Sequence, residues 1–258
     1  MADAVSPFGS ADRRVVYISP HFDDAVWSSG GTIASLVRQG RTVEIVTVFA
    51  GRPDRSGPLG DAAREVHQRW KLAGTGRDVV EARAKENDSA LGVLKVTPID
   101  LEFLDVIYRE PAIELRDILG AEPKSDAVNA VVDDLVARGI VNETSVVVIP
   151  RGLGEHVDHL VAGQAGAIAA RKVGATLLAY AEFPYSSFAG GGIEIDEPGR
   201  WVAVDTPLPM TAVVRKVRGA FAYKSQVADL FGSRLGFVSS LLRSGSLRHE
   251  QTWRWQPG

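Results

Sequence analysis

Hydrophobic and polar positions along the 258-residue chain change their spacing repeatedly, and each change marks an element. Val15-Val16-Tyr17-Ile18 is an unbroken run of β-branched and aromatic side chains, which predicts a buried strand over 15–19. Residues 30–40 read as a helix ended by Gly40, and 42–49 as a second strand, a βαβ unit that pairs in parallel. Residues 50–78 are rich in Gly, Pro, Arg and Asp and read as a long loop with a short helix over 65–72. A loop of that length is usually functional or mobile, and this one leaves the carboxyl end of the sheet. A helix over 79–93 and a strand over 100–104 follow. A helix over 126–138 then has Ala127, Val131, Val132 and Leu135 on one face. Beyond it come a strand over 145–149, an Ala-rich helix over 160–173 and a strand over 176–180. A loop punctuated by Gly190, Gly191 and Gly192 leads to a strand over 201–204 and a helix over 210–227. Trp253 and Trp255 are expected to pack rather than bind. Strands alternating with helices predict an α/β fold on a mostly parallel sheet. There is no internal repeat, so a single domain over 1–258 is expected, with 1–12 as a flexible tail.

Composition narrows the partners. With 45% hydrophobic and 24% charged residues, this length can fill one core. A net charge of −3 provides no basic field, which excludes nucleic acid as an expected partner. No apolar stretch is long enough to span a bilayer, and the first residues lack the basic and apolar regions of a signal peptide. The absence of cysteine removes disulfides and thiolate metal sites, so the cytoplasm is the expected compartment. Any bound metal must use nitrogen and oxygen ligands.

Two polar clusters stand at predicted strand ends, the edge where open α/β sheets bind ligands. His21-Phe22-Asp23-Asp24 follows the first strand, and His156-Val157-Asp158-His159 follows the run ending at Pro150. Such imidazole and carboxylate groups suit a hard-to-borderline divalent metal with a spare carboxylate beside it. Taken singly, the first fits a helix N-cap and the second a solvated turn. Together they hold three of the five histidines, which favours one metal-assisted hydrolytic site built from both.

The blocks resemble a known family. His21 to Thr32, with its two aspartates and Gly30-Gly31, is similar to the HPDD-E-x4-GG signature of the PIG-L (LmbE-like) zinc-dependent N-deacetylases, and Gly154 to His159 to their G-x-HxDH block. Arg83-Ala84-Lys85-Glu86 with Ala90-Leu91-Gly92-Val93, and Lys216 with Tyr223-Lys224-Ser225-Gln226, match later blocks in the same order. Phe22 stands where the family has Pro and Ala25 where it has Glu, marking a divergent subgroup. The resemblance implies a Rossmann-like three-layer sandwich and one Zn2+ per chain on His21, Asp24 and His159. It implies Asp23 as general base, and His156 as the group that stabilises the oxyanion and protonates the leaving amine. Asp158 is expected to hold His156, and Arg83 with Glu86 to form a structural pair.

The expected reaction is removal of an acetyl or other acyl group from an N-acetylglucosamine-type conjugate by metal-activated water. Arg52, Arg55, Arg109, Arg151, Glu182 and Tyr185 lie on loops at the sheet's carboxyl edge, where they could meet sugar hydroxyls. His67 and His249 read as surface or packing residues. An amidase for another conjugate, using the same zinc site, is the second enzymatic reading. A sugar-binding relative without turnover is the third, and Asp23 argues against it because binding alone needs no base. A dinucleotide-binding protein is set aside, since no G-x-G-x-x-G follows the first strand. Homo-oligomerisation is left open.

Overall fold

The apolar run Val15–Ser19 forms β1, buried at every position. In the computed structural model, which describes residues 7–185, 192, 193, 195 and 198–258, β1 leads into α1 (Asp24–Arg38), β2 (Val43–Thr47), α2 (Asp61–Trp70), α3 (Gly76–Leu94) and β3 (Thr97–Asp100). The short α4 (Val106–Arg109) and a 3-10 turn at Leu115–Asp117 precede α5 (Ser125–Ala137), β4 (Val146–Pro150), α6 (Val157–Lys172) and β5 (Thr176–Tyr180). Then come β6 (Gly199–Pro207), α7 (Met210–Ala220), α8 (Lys224–Phe231), α9 (Arg234–Arg243) and β7 (His249–Pro257).

The strands join in the order β3-β2-β1-β4-β5-β7-β6, the first five parallel and β7 antiparallel to both its neighbours. Helices α1, α3 and α7 pack together on one face and α5 and α6 on the other, giving the three layers expected. The chain runs outward from β1 to β3, then returns to lay β4 on the other side of β1, with Val15 opposite Val146 and Tyr17 opposite Val148. This reversal opens a crevice beyond the carboxyl ends of β1 and β4. The two histidine blocks follow those two strands, so topology alone brings them together.

Several boundaries differ from the sequence reading, each for a physical reason. Helix α1 starts at Asp24, not near residue 30, because Gly30 and Gly31 are packing positions inside it rather than its start. A Cβ on Gly31 would lie 2.3 Å from Leu208 Cδ1, and one on Gly30 would lie 3.3 Å from Lys216 Cγ. The third strand is Thr97–Asp100, while Leu101 turns into the core; Pro98 is tolerated because β3 is an edge strand. The expected helix over 210–227 breaks at buried Tyr223, whose hydroxyl lies 2.8 Å from both Phe22 O and Asn87 Oδ1. Glu86 then caps α8, accepting from Ser225 N at 3.1 Å and Ser225 Oγ at 2.6 Å. Glu86 is therefore not the partner of Arg83. The aromatic tail is strand β7, inserted between β5 and β6. Within the expected tail over 1–12, Phe8 is buried and its carbonyl accepts from Arg41 Nη2 at 2.7 Å, while residues 1–6 lie outside the described residues. Gly190 and Gly191 of the expected glycine loop lie outside the described residues. Among the described residues no helix is long and apolar enough to cross a membrane.

One buried ion pair ties α1, α7 and β7 together. Glu250 accepts from Lys216 Nζ at 2.8 Å and, within α1, from Gly31 N at 3.0 Å and Thr32 N at 2.7 Å. Removing one member of such a pair strands the other charge in the core. Glu250→Ala is thus expected to lower unfolding free energy by about 3–5 kcal/mol in urea titrations. A loss below about 1 kcal/mol would place this pair with weak surface bridges.

Candidate metal centre and active site

The turn after β1 and the start of α6 place three donor atoms around one point. Asp24 Oδ2 lies 3.3 Å from His21 Nδ1 and 3.4 Å from His159 Nε2. Ligand–ligand edges of about 3.3 Å are those of a tetrahedron with metal–ligand bonds of about 2.0–2.1 Å, the zinc values. The outer ring nitrogens face carboxylates. His21 Nε2 lies 3.1 Å from Asp158 Oδ2, and His159 Nδ1 lies 3.3 Å from Glu182 Oε1. Each carboxylate favours a proton on the nitrogen it faces, which leaves the inner lone pair free for a cation. A second donor group, His21, His156 and Asp158, overlaps the first through His21.

Electrostatics support a cation at the first group. Burial disfavours charge on His21, yet Asp105, Asp158 and Asp24 hold its pKa well above the ordinary imidazole value. Burial likewise opposes charge on His159, and Asp24 and Glu182 raise its pKa. Against the same burial, the two imidazoles hold the Asp24 carboxyl below the usual range. Buried carboxylates that draw protons onto two adjacent imidazoles would favour a dication in their place.

Asp23 lies outside that donor group and lines a cavity of about 170 Å³ together with His21, Asp24, His156 and His159. Burial raises its pKa, while Arg83, whose Nη2 is 3.3 Å from Asp23 Oδ1, pulls the other way. His156 caps α6 with its own ring: Nδ1 accepts from Asp158 N at 3.2 Å. Its remaining proton is therefore on Nε2. Burial, with His159 and His21 nearby, pushes its pKa down to about 3, so the ring is a neutral donor near pH 7. The turn that delivers it is tight. Gly152, Gly154 and Glu155 all have positive φ, and a Cβ on Gly154 would lie 2.5 Å from Tyr185 Cδ1.

The PIG-L family model, GlcNAc-PI de-N-acetylase, matches residues 16–170. The chain belongs to the PIG-L family. It is an enzyme of the N-deacetylase class, a hydrolase. It is 28% identical to the 2'-N-acetylparomamine deacetylase of Niallia circulans over 94% of this chain and 90% of that one. It is also 28% identical to that of Streptomyces fradiae, over 84% and 74% respectively. The fold superposes on a zinc-inhibited form of the teicoplanin deacetylase Orf2 with a TM-score of 0.82, at 30% identity over 95% of this chain and 98% of the other. The A40926 pseudoaglycone deacetylase Dbv21 gives 0.81, at 27% identity over 96% and 98%.

Within this PIG-L site, the structure brings together His21, Asp23, Asp24, His156, Asp158 and His159, and adds Tyr185 to the cavity wall. Asp158 meets the His156 ring through its backbone amide and not through its carboxylate. The Asp158 carboxylate instead meets Arg109 Nη2 at 2.5 Å, Val106 N at 3.0 Å and His21. Five expected substrate contacts are not among the cavity-lining residues. Glu182 is fully buried, accepting from Gly152 N and Arg151 N beneath His159. Arg151 donates to Ile193 O, Arg109 is held by Asp158, and Arg52 is exposed outside the cavity lining. Arg55 bonds Asp78 on the surface. The cavity instead presents Trp70, Arg69, Asp105, Gln226 and Asp229, none of which the sequence reading singled out for the site. Asp105 had a usable signal, since it follows the third strand as Asp23 follows the first. His67 is a buried packing residue, 2.8 Å from Tyr108 Oη, and His249 is exposed.

Proposed function

We propose that this chain removes the N-acetyl group from an amino sugar carried in a larger conjugate, with zinc held by His21, Asp24 and His159. The observation that carries this reading is the donor triangle of 3.3 and 3.4 Å edges with Asp23 and His156 outside it on the wall of the same cavity. When bound, zinc supplies a Lewis acid for the amide carbonyl and makes water acidic enough to react near neutral pH. Asp23, aligned by Arg83, accepts the proton of the attacking water. His156 Nε2–H donates to the developing oxyanion. The proton held by Asp23 then passes to the departing nitrogen, giving acetate and a free amine. A neutral His156 does not supply that proton, so the acid role implied by the family resemblance moves to Asp23.

The amino-sugar part rests on the named relatives, which act on 2'-N-acetylparomamine and in the making of teicoplanin. Half-buried Trp70 and Tyr185 offer apolar faces to a sugar ring, while Asp105 and Gln226 offer acceptors and donors for its hydroxyls.

Mass-spectrometric assay of purified protein with no more than one equivalent of zinc tests this. N-acetylated amino-sugar conjugates should lose acetyl, and N-acetyl amino acids should not. The reverse preference would remove the sugar from the reading. In the same assay His156→Ala should lower kcat about 100- to 1,000-fold, the usual cost of one oxyanion donor. Because burial and the neighbouring imidazoles keep His156 neutral, the substitution should leave in place both limbs of the bell-shaped pH profile that general acid–base catalysis gives. Loss of the basic limb in His156→Ala would restore it as the acid.

A further inference from the structure

Arg109 lies on α4 outside the cavity lining, yet its guanidinium is tied into the metal centre. Nη2 donates to Asp158 Oδ1 at 2.5 Å, Nη1 donates to Leu104 O at 2.8 Å, and the group sits 4.8 Å over the Phe49 ring. Asp158 has no solvent exposure, and its other oxygen takes Val106 N–H at 3.0 Å and faces His21 Nε2 at 3.1 Å. A continuous line of contacts therefore runs from Arg109 through Asp158 to His21, whose Nδ1 is one corner of the donor triangle.

We propose that Arg109 is a positioning residue that sets the affinity of the metal centre by holding Asp158 against His21. The inference rests on the reading of His21, Asp24 and His159 as the ligands. A buried carboxylate is stable only where donors satisfy it, and Arg109 Nη2 and the Val106 amide do so. Once fixed, Asp158 keeps the proton on His21 Nε2 and aims Nδ1 inward. The same two donors occupy both Asp158 oxygens. They keep that carboxylate from joining His156 as a rival donor group for the cation, although the three residues lie close enough to form one. Without Arg109, the carboxylate is free to rotate, the imidazole loses its orientation, and the triangle loosens.

Zinc affinity of the purified chain, measured by competition with a chromophoric chelator, tests this without any substrate. Arg109→Gln should weaken zinc binding about 10- to 100-fold, the range for lost outer-shell partners. Arg109→Lys should recover part of the loss, since it restores the charge but not the two-pronged geometry. Arg55→Gln, which breaks only a surface pair with Asp78 and Glu81, should leave the affinity unchanged. Asp158→Asn keeps the side-chain volume and should weaken zinc at least as much as Arg109→Gln; with Arg109→Lys it carries the test if Arg109→Gln does not fold. Equal affinities for wild type and the folded Arg109 variants would overturn the proposal. So would a fall in turnover at unchanged affinity, which would make Arg109 a substrate contact. A wild-type chain that binds no zinc would overturn the ligand reading as well, a result distinct from either.

Discussion

Asp23→Asn should keep the bound metal and the fold while lowering kcat about 100- to 10,000-fold, the contribution of a well-placed general base. The substitution preserves shape and removes the one property the reaction needs, a carboxylate able to take a proton from water. The geometry makes the experiment clean. Asp23 is outside the donor triangle, so metal content should stay at the wild-type value. Its guanidinium partner Arg83 is also held by stacking, 4.3 Å from the Trp70 ring, so Arg83 is not left without support. Metal analysis and a thermal melt on the same sample separate the effects. A variant that turns over near the wild-type rate would move the base to another group, and Asp105, 3.5 Å from His21 Nε2, would be the next to examine.

The second large effect concerns the metal itself. His159→Ala should leave the dialysed protein with little or no zinc and no measurable hydrolysis, because two remaining ligands hold the ion poorly. It also strands Glu182 in the core without its imidazole partner. His67→Ala is the matched control: it removes a buried histidine whose ring bonds Tyr108 and which belongs to neither candidate donor group, so the zinc should be retained. Equal metal content in the two variants would dissolve the ligand assignment.

What the sequence revealed follows from how local each feature is. The two histidine blocks were legible because metal-ligand residue types crowd into four positions after β-branched runs, and parallel pairing of β1 with β4 then joins them. The helix start at Asp24 was hidden by Gly30 and Gly31. Their low helix propensity suggests a boundary, whereas their purpose is close approach by Leu208 and Lys216. Strand β7 was read as a packing tail because its place between β5 and β6 depends on pairing with distant segments.

Side-chain partners were the least legible part. Asp158 is two residues from His156, which suggested a pair. At a helix start, however, His156 turns back to cap its own backbone, while Asp158 points across to α4. The arginines on the sheet's carboxyl edge looked available for sugar, but Arg109 and Arg151 are consumed by bonds to residues far along the chain. Trp70 and Asp229 gave no signal, because only the approach of α2 to α8 makes them walls of one cavity.

The most direct measurement is a zinc titration of metal-stripped protein, recording acetate released from an N-acetylated amino-sugar conjugate and zinc bound in the same samples. Release is expected to rise in step with occupancy and to reach its maximum at about one ion per chain. Asp23→Asn is expected to take up the same ion and stay silent. Metal-stripped protein that releases acetate as fast as the loaded form would contradict the metal-dependent reading.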